Sequence, residues 1–235
     1  RGLPDYWRAV SHWCAKRPTG APVFCVVGSP VAHSRSPEIH RAFGAQTGIA
    51  LHYERVEVRT GELVAALAEF VAAGGRGLNV TVPLKEEACA AADEHLSTAA
   101  VTGAANTLVV QPDRRVLADN TDGRGLVRDL VANHGVVLGG RRILLLGAGG
   151  AARGVIPNLL EAAPAEIVIA NRTESRAREL VARFRHLGPL SASSLSSPGT
   201  GRSEEPTSEL PSRSDLVCRL LLAKKQEPNG AQHNS

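Results

Sequence analysis

The sequence predicts two α/β domains: an N-terminal, mostly parallel sheet with helices on both faces, and a second, shorter strand–helix unit. Three observations predict them. Apolar strand-like runs alternate with amphipathic helical stretches from Val23 onward, as in a sheet whose crossovers are helices. A new strand–helix–strand series starts after Gly139-Gly140, and its first turn is rich in glycine. Apolar residues make up 43% of the 235 while aromatics make up only 3%, so Val, Leu, Ile and Ala must fill the cores.

Residues 1–21 read as a loosely attached extension, or else as a short helix with Tyr6, Trp7, Val10 and Trp13 on one face. The first domain is expected over residues 22–122. Val23 to Gly28 is a continuous apolar run ending in glycine, the pattern of a buried parallel strand. Ser36-Pro37-Glu38 then reads as a helix start: a serine cap, proline in the first turn and an acid near the positive end of the dipole. Gly48 stops that helix. Ser34 and Ser36 lie two apart at its entrance. Either Ser36 caps while Ser34 is solvated, or both hydroxyls bind a carboxylate beside the free N–H groups.

Leu51 to Val58 alternates as a second strand, and Thr60 is expected to cap the helix carrying Leu63, Leu67, Phe70 and Val71. Gly77 to Lys85 follows, with Leu78, Val80, Val82 and Leu84 alternating with Asn79, Thr81, Pro83 and Lys85. That is a strand ended by Pro83, which cannot donate to a ladder. Thr81 and Lys85 then stand where open α/β sheets bind ligands. The plainer reading makes Lys85 a solvated lysine. A short helix to Ala92, another over Ser97 to Thr102, and a hairpin of Ala105–Val110 with Val116–Ala118 around Pro112-Asp113 complete the domain.

Asp122 opens a helix in the connecting segment 123–138, either as its N-cap or as a reactive group. The second domain is expected over residues 139–187. Arg142 to Leu146 is a buried strand, Gly147 to Gly154 (GAGGAARG) the turn and helix start, and Glu166 to Ala170 the next strand. The glycines permit a tight turn and let backbone N–H groups reach a pyrophosphate, the pattern of an incomplete Rossmann-like dinucleotide-binding domain. A site for NAD would place an acid at the end of the second strand. Here Asn171-Arg172-Thr173 and Arg176 stand there, and arginine's planar fork suits a phosphate, which points to NADP; the plainer reading makes Arg172 and Arg176 a solvated helix face.

From His186 the composition turns to Pro, Ser, Gly and charge. Residues 188–235 read as a disordered or non-native tail; Gly201 to Gln226 resembles the translation of a sequencing adapter, with a short helix at Asp215 to Lys224. With no methionine and Arg1 at the start, the chain reads as a fragment.

Cys14, Cys25, Cys89 and Cys218 show no metal-ligand spacing, and reduced thiols fit a cytoplasmic protein with no metal. No apolar run reaches the roughly 18 residues of a membrane span. A formal net charge of +4 is too diffuse for nucleic acid and compatible with an anionic small molecule.

SPVAHSRSP, NVTVPLKE, GAANT, DNTDG, GAGGAARG and NRT, in that order, resemble the shikimate dehydrogenase family from about Val23 to Phe184. The resemblance implies NADP-dependent, reversible reduction of 3-dehydroshikimate to shikimate in aromatic amino acid biosynthesis. A quinate/shikimate enzyme of the same superfamily and an inactive, ligand-binding fragment are the alternatives. It implies that Ser34 and Ser36 bind the substrate carboxylate, that Thr81 and Asn106 contact its hydroxyl side, and that Lys85 and Asp122 are the catalytic pair and touch the substrate. It also implies that Gly147, Ala148, Gly149, Gly150 and Ala151 hold the pyrophosphate, and that Asn171, Arg172, Thr173 and Arg176 hold the 2′-phosphate. A homodimer is compatible with it. The family's later cofactor-domain strands and C-terminal helix are not legible after Phe184, so the chain as written is expected to be unstable or nearly inactive.

Overall fold

A computed structural model describes residues 20–195 and the backbone of the strand Asp215–Cys218. The expected aromatic helix near Trp7 and the rest of the tail lie outside the described residues.

The first lobe is a six-stranded mixed sheet in the order β2-β1-β3-β5-β6-β4. Its strands are β1 (Val23–Gly28), β2 (His52–Glu57), β3 (Gly75–Val80), β4 (Glu94–His95), β5 (Thr107–Val110) and β6 (Val116–Asp119). β1 runs parallel to both β2 and β3, whereas β5 is antiparallel to β3 and to β6. The helices are α1 (Ser36–Thr47), α2 (Leu63–Ala72), α3 (Lys85–Ala91) and α4 (Ser97–Thr102). Strand alternation splits β1 between two cores. Val23, Cys25 and Val27 pack with Leu63, Leu67 and Phe70 of α2 and with Leu84 and Ala88. Phe24 and Val26 pack with Tyr53 on the opposite face, where the His40 ring of α1 stacks on Tyr53. Helices therefore cover both faces, as the sequence predicts.

Three local expectations are corrected. Ser36 is already helical and Arg35 is the N-cap; the Ser36 N–H instead donates to Ser34 Oγ at 3.3 Å. Glu62, not Thr60, stands at the N-cap of α2, and the carboxylate of Glu87 accepts from Leu63 N at 3.0 Å. β3 ends at Val80, three residues before Pro83, because the chain turns at Thr81, where Leu84 N donates to Thr81 O. Lys85 consequently opens α3.

The connecting helix α5 (Asp122–Arg128) continues as a π-helical turn to Asn133 and packs Leu126, Val127 and Leu130 against the second core. The second lobe is a four-stranded parallel sheet ordered β10-β7-β8-β9. Its elements are β7 (Arg142–Leu146), α6 (Gly150–Glu161), β8 (Glu166–Asn171), α7 (Glu174–Phe184), β9 (Leu190–Ser194) and β10 (Asp215–Cys218). Ile143, Leu145, Ile167 and Ile169 meet Ile156 and Leu159 of α6 and Leu180 and Phe184 of α7.

Two of these strands fall where the sequence reading expects tail. β9 pairs in register with β8 from Leu190 to Ser194, and Ser191 Oγ donates to Glu166 Oε1 at 2.6 Å. An edge strand needs less apolar surface than a central one, so its serines disguise it. Asp215–Cys218, expected to start a helix, is a strand parallel to β7, whose outer edge offers free backbone donors and acceptors. Among the described residues, no helix is long and apolar enough to cross a membrane.

Candidate active site

The carboxyl ends of β1 and β3 lie side by side, with Thr81 N donating to Val27 O and Ser29 N to Val82 O. Gly28 is needed for that approach: a Cβ there would run into Thr81 and come within 3.2 Å of the Val82 carbonyl. The two loops leaving these strands form the walls of a cavity of about 330 Å³. Ser34, Ser36, Thr81, Lys85, Asn106 and Asp122 all line it. Six positions spread over almost ninety residues of sequence thus share one space.

Lys85 and Asp122 meet directly. Lys85 Nζ donates to Asp122 Oδ2 at 2.5 Å, with side chains only 13% and 25% exposed. The carboxylate is held on its other side by Asn106 Nδ2, 2.8 Å from Oδ1. Asn106 is itself fixed, since its Oδ1 accepts from Thr121 N at 3.0 Å and from Thr107 Oγ1 at 2.9 Å. Asp122 does not act as the N-cap of α5; Thr121 occupies that position. The Asp122 N–H donates to Asn120 Oδ1 at 3.2 Å, and Asn120, fully buried, anchors to Ala104 O at 2.9 Å. The aspartate carboxylate is instead turned towards the lysine and Asn106.

At the far end of the cavity Ser34 Oγ donates to Ser36 Oγ at 3.1 Å, and Arg55 Nε holds the Ser34 carbonyl at 2.6 Å. Arg55 also grips Glu38 through both carboxylate oxygens, which keeps the Glu38 carboxyl below its usual pKa. The neighbouring hydroxyls offer hydrogen bonds to an anionic group beside the first turn of α1.

Several contributors escape the sequence reading. Asn79, His33 and His40 line the cavity. Asn79 lies on the same strand face as Thr81, and that alternation was the available signal. Tyr53 is different, because only the sheet register brings its hydroxyl to Asn79 Oδ1, at 2.5 Å. Burial pushes the Tyr53 phenol above its ordinary pKa, so it stays protonated and donates. With its oxygen occupied, the Asn79 amide has its N–H groups left for the cavity.

The glycine-rich turn lies across a cleft from this cavity. Gly147 has φ +104°, a conformation that L side chains rarely adopt, and its N–H bonds Ala170 O at 2.8 Å. Around Gly147, Gly149 and Gly150 an added Cβ would meet nothing within 4 Å, so the backbone is open to close approach. No side chain caps α6, which leaves its first N–H groups free for an anion. Ala148, Gly149 and Arg176 line the cleft, about 490 Å³ in volume, and Ala151 continues into α6. Asn171, Arg172 and Thr173 stand at the carboxyl end of β8, where Asn171 Nδ2 donates to Thr173 O at 2.8 Å. Arg172 and Arg176 are exposed. An open glycine cradle with two cations at the next strand end fits a phosphorylated dinucleotide. α6 also reaches the lysine–aspartate pair: a Cβ on Gly154 would lie 3.3 Å from Asp122 Oδ2.

Comparison with known proteins gives the same assignment from both lobes. Residues 26–108 match the shikimate dehydrogenase substrate binding domain, and residues 129–197 match shikimate / quinate 5-dehydrogenase. The second match runs past Gly188 and takes in β9. A shikimate dehydrogenase (NADP(+)) of Alkalilimnicola ehrlichii is 54% identical over 72% of this chain and 62% of its own length. The structure of shikimate dehydrogenase from Aquifex aeolicus aligns with TM-score 0.70 and 33% identity, covering 77% of this chain and 65% of that one. The Thermus thermophilus enzyme, in complex with NADP(H) and shikimate, aligns with TM-score 0.65 and 37% identity over 72% and 62% of the two chains. The chain spans 62% of the length of the A. ehrlichii relative.

Proposed function

The chain belongs to the shikimate dehydrogenase family, and from that premise we propose that it carries out the reversible, NADP-dependent reduction of 3-dehydroshikimate to shikimate. The observation that carries the reading is the Lys85–Asp122 pair at 2.5 Å inside the cavity that Ser34, Ser36, Thr81 and Asn106 also line.

In this reading Ser34 and Ser36 bind the substrate carboxylate, and Thr81 and Asn106 orient the ring hydroxyls. An ammonium has three donors and Lys85 commits one to Asp122, so others remain for the substrate oxygen. In the reducing direction Lys85 Nζ gives a proton to the carbonyl oxygen as it gains charge; in the oxidising direction it takes the proton from the hydroxyl. Asp122 aims the lysine and accepts a hydrogen bond from the substrate hydroxyl. NADP, held by Gly147–Ala151 and by Asn171, Arg172, Thr173 and Arg176, would supply the hydride exchange. Arg172, just past the end of β8, and Arg176, in the first turn of α7, favour the 2′-phosphate over a free ribose hydroxyl, and the relatives named as NADP(+) enzymes support the same choice.

Calorimetric titration of the whole chain with shikimate and with NADP+ separately, followed by a turnover assay, tests this. Binding of both ligands with slow but measurable NADPH formation is expected, with NADP+ preferred to NAD+ and shikimate to quinate. Binding without any turnover would mark the chain as a non-catalytic ligand binder and overturn the proposal.

A further inference from the structure

We propose that Glu86 and Arg153 form a pin between the lobes that fixes how close Lys85 stands to the glycine-rich turn. Glu86 follows Lys85 directly in the first turn of α3. Arg153 lies in the first turn of α6, its N–H bonded to Gly149 O at 3.0 Å. Arg153 Nη1 reaches Glu86 Oε1 at 3.2 Å across the cleft. The arginine side chain is 23% exposed, and its Nε is buried with no partner. The guanidinium is thus largely packed into the junction and bears on Glu86. A second bond between the lobes, Arg183 Nη2 to Val101 O at 3.2 Å, lies on the same cleft wall.

The consequence follows from position. The first turn of α3 is gripped twice: Lys85 by Asp122 of the connecting helix, and Glu86 by Arg153 of the second lobe. Where the pin is made, Lys85 and the dinucleotide cradle keep one spacing; where it is broken, the two helices are free to part. A partly exposed ion pair contributes too little to hold two lobes together alone. It is enough to bias which spacing is populated, and so to couple occupancy of the cleft to that of the substrate cavity. Arg153 is on this account a positioning residue acting through Glu86. The coupling rests on the dehydrogenase reading; the pin itself does not.

The test is a charge swap. Glu86→Arg, Arg153→Glu and the double variant are made in the full chain, with Cys14 and Cys218 replaced by serine and spin labels at Gln46→Cys of α1 and Ser175→Cys of α7. Each single reversal is expected to lengthen and broaden the distance between the labels in the ligand-free protein. Each should also reduce, by about two- to fivefold, the factor by which saturating NADP+ tightens shikimate binding. The swap should restore both. A merely structural defect would not be rescued by reversing the two charges. Unchanged distances in the single variants, or a swap no better than either, would overturn the pin. Failure of the parent to bind either ligand would count against the dehydrogenase reading alone, since the ligand-free distances still decide the pin.

Discussion

Tyr53 shows how a residue outside the chemistry sets what the cavity offers. Its hydroxyl donates to Asn79 Oδ1, and its ring lies under His40, with centroids 4.2 Å apart. Burial raises its pKa above the ordinary phenol value of 10.0. The sign of the linkage follows: above pH 10 the unfolded chain sheds the phenolic proton while the folded chain keeps it, so the folded state binds more protons and stability falls as pH rises. The contribution is fully present below pH 10 and declines beyond it. Thermal unfolding between pH 9 and 11 is expected to show a steeper loss of Tm in the parent than in Tyr53→Phe, which has no proton to lose. Equal slopes would mean that the phenol titrates normally in the folded protein. Tyr53 was not legible in the sequence, because its partner is 26 residues away and only the parallel register of β2, β1 and β3 brings them together. Asp122 was half legible: the sequence showed a helix start, but not that the carboxylate turns to Lys85 and Asn106.

Among the elements, α6 connects the two sites. It begins at the glycine cradle, and one turn later Gly154 passes against Asn120 Nδ2 at 3.0 Å and Asp122 Oδ2 at 3.3 Å, measured from the position of an added Cβ. Glycine is used here for close approach, since its backbone is ordinary helix. Gly154→Val is expected to push α6 off the pair and weaken substrate binding. It should cost about 1–3 kcal/mol of stability, as overpacking does, read from denaturant unfolding beside a shikimate titration. A variant as stable as the parent, with unchanged affinity, would place the helix farther from Asp122. Central elements were legible because their signals are strong: VFCVVG and RILLL are continuous apolar runs, and both are strands. The edges were not. LSASS lacks the bulk of a buried strand, and pairing with β8 and the Ser191–Glu166 bond make it one. The composition that suggested a tail is the composition of a half-exposed edge.

At the scale of the whole molecule, neither lobe is a site by itself. The first supplies Ser34, Ser36, Thr81, Lys85 and Asn106, the connecting helix supplies Asp122, and the second supplies the cradle at Gly147–Ala151. Their meeting depends on α5 packing into the second core while its first residue points back into the first lobe. Ordered motifs in the sequence singled out residues that share one cavity, but a spacing of 37 residues between Lys85 and Asp122 carries no distance; the fold supplies it. The proposed dehydrogenase reading turns on Lys85 moving the proton. The most direct measurement is the turnover number of Lys85→Ala beside the parent, at saturating shikimate and NADP+, with both dissociation constants determined in parallel. The account predicts a fall of about 10²–10⁴-fold in turnover, with NADP+ binding unchanged. Turnover equal to that of the parent would contradict it.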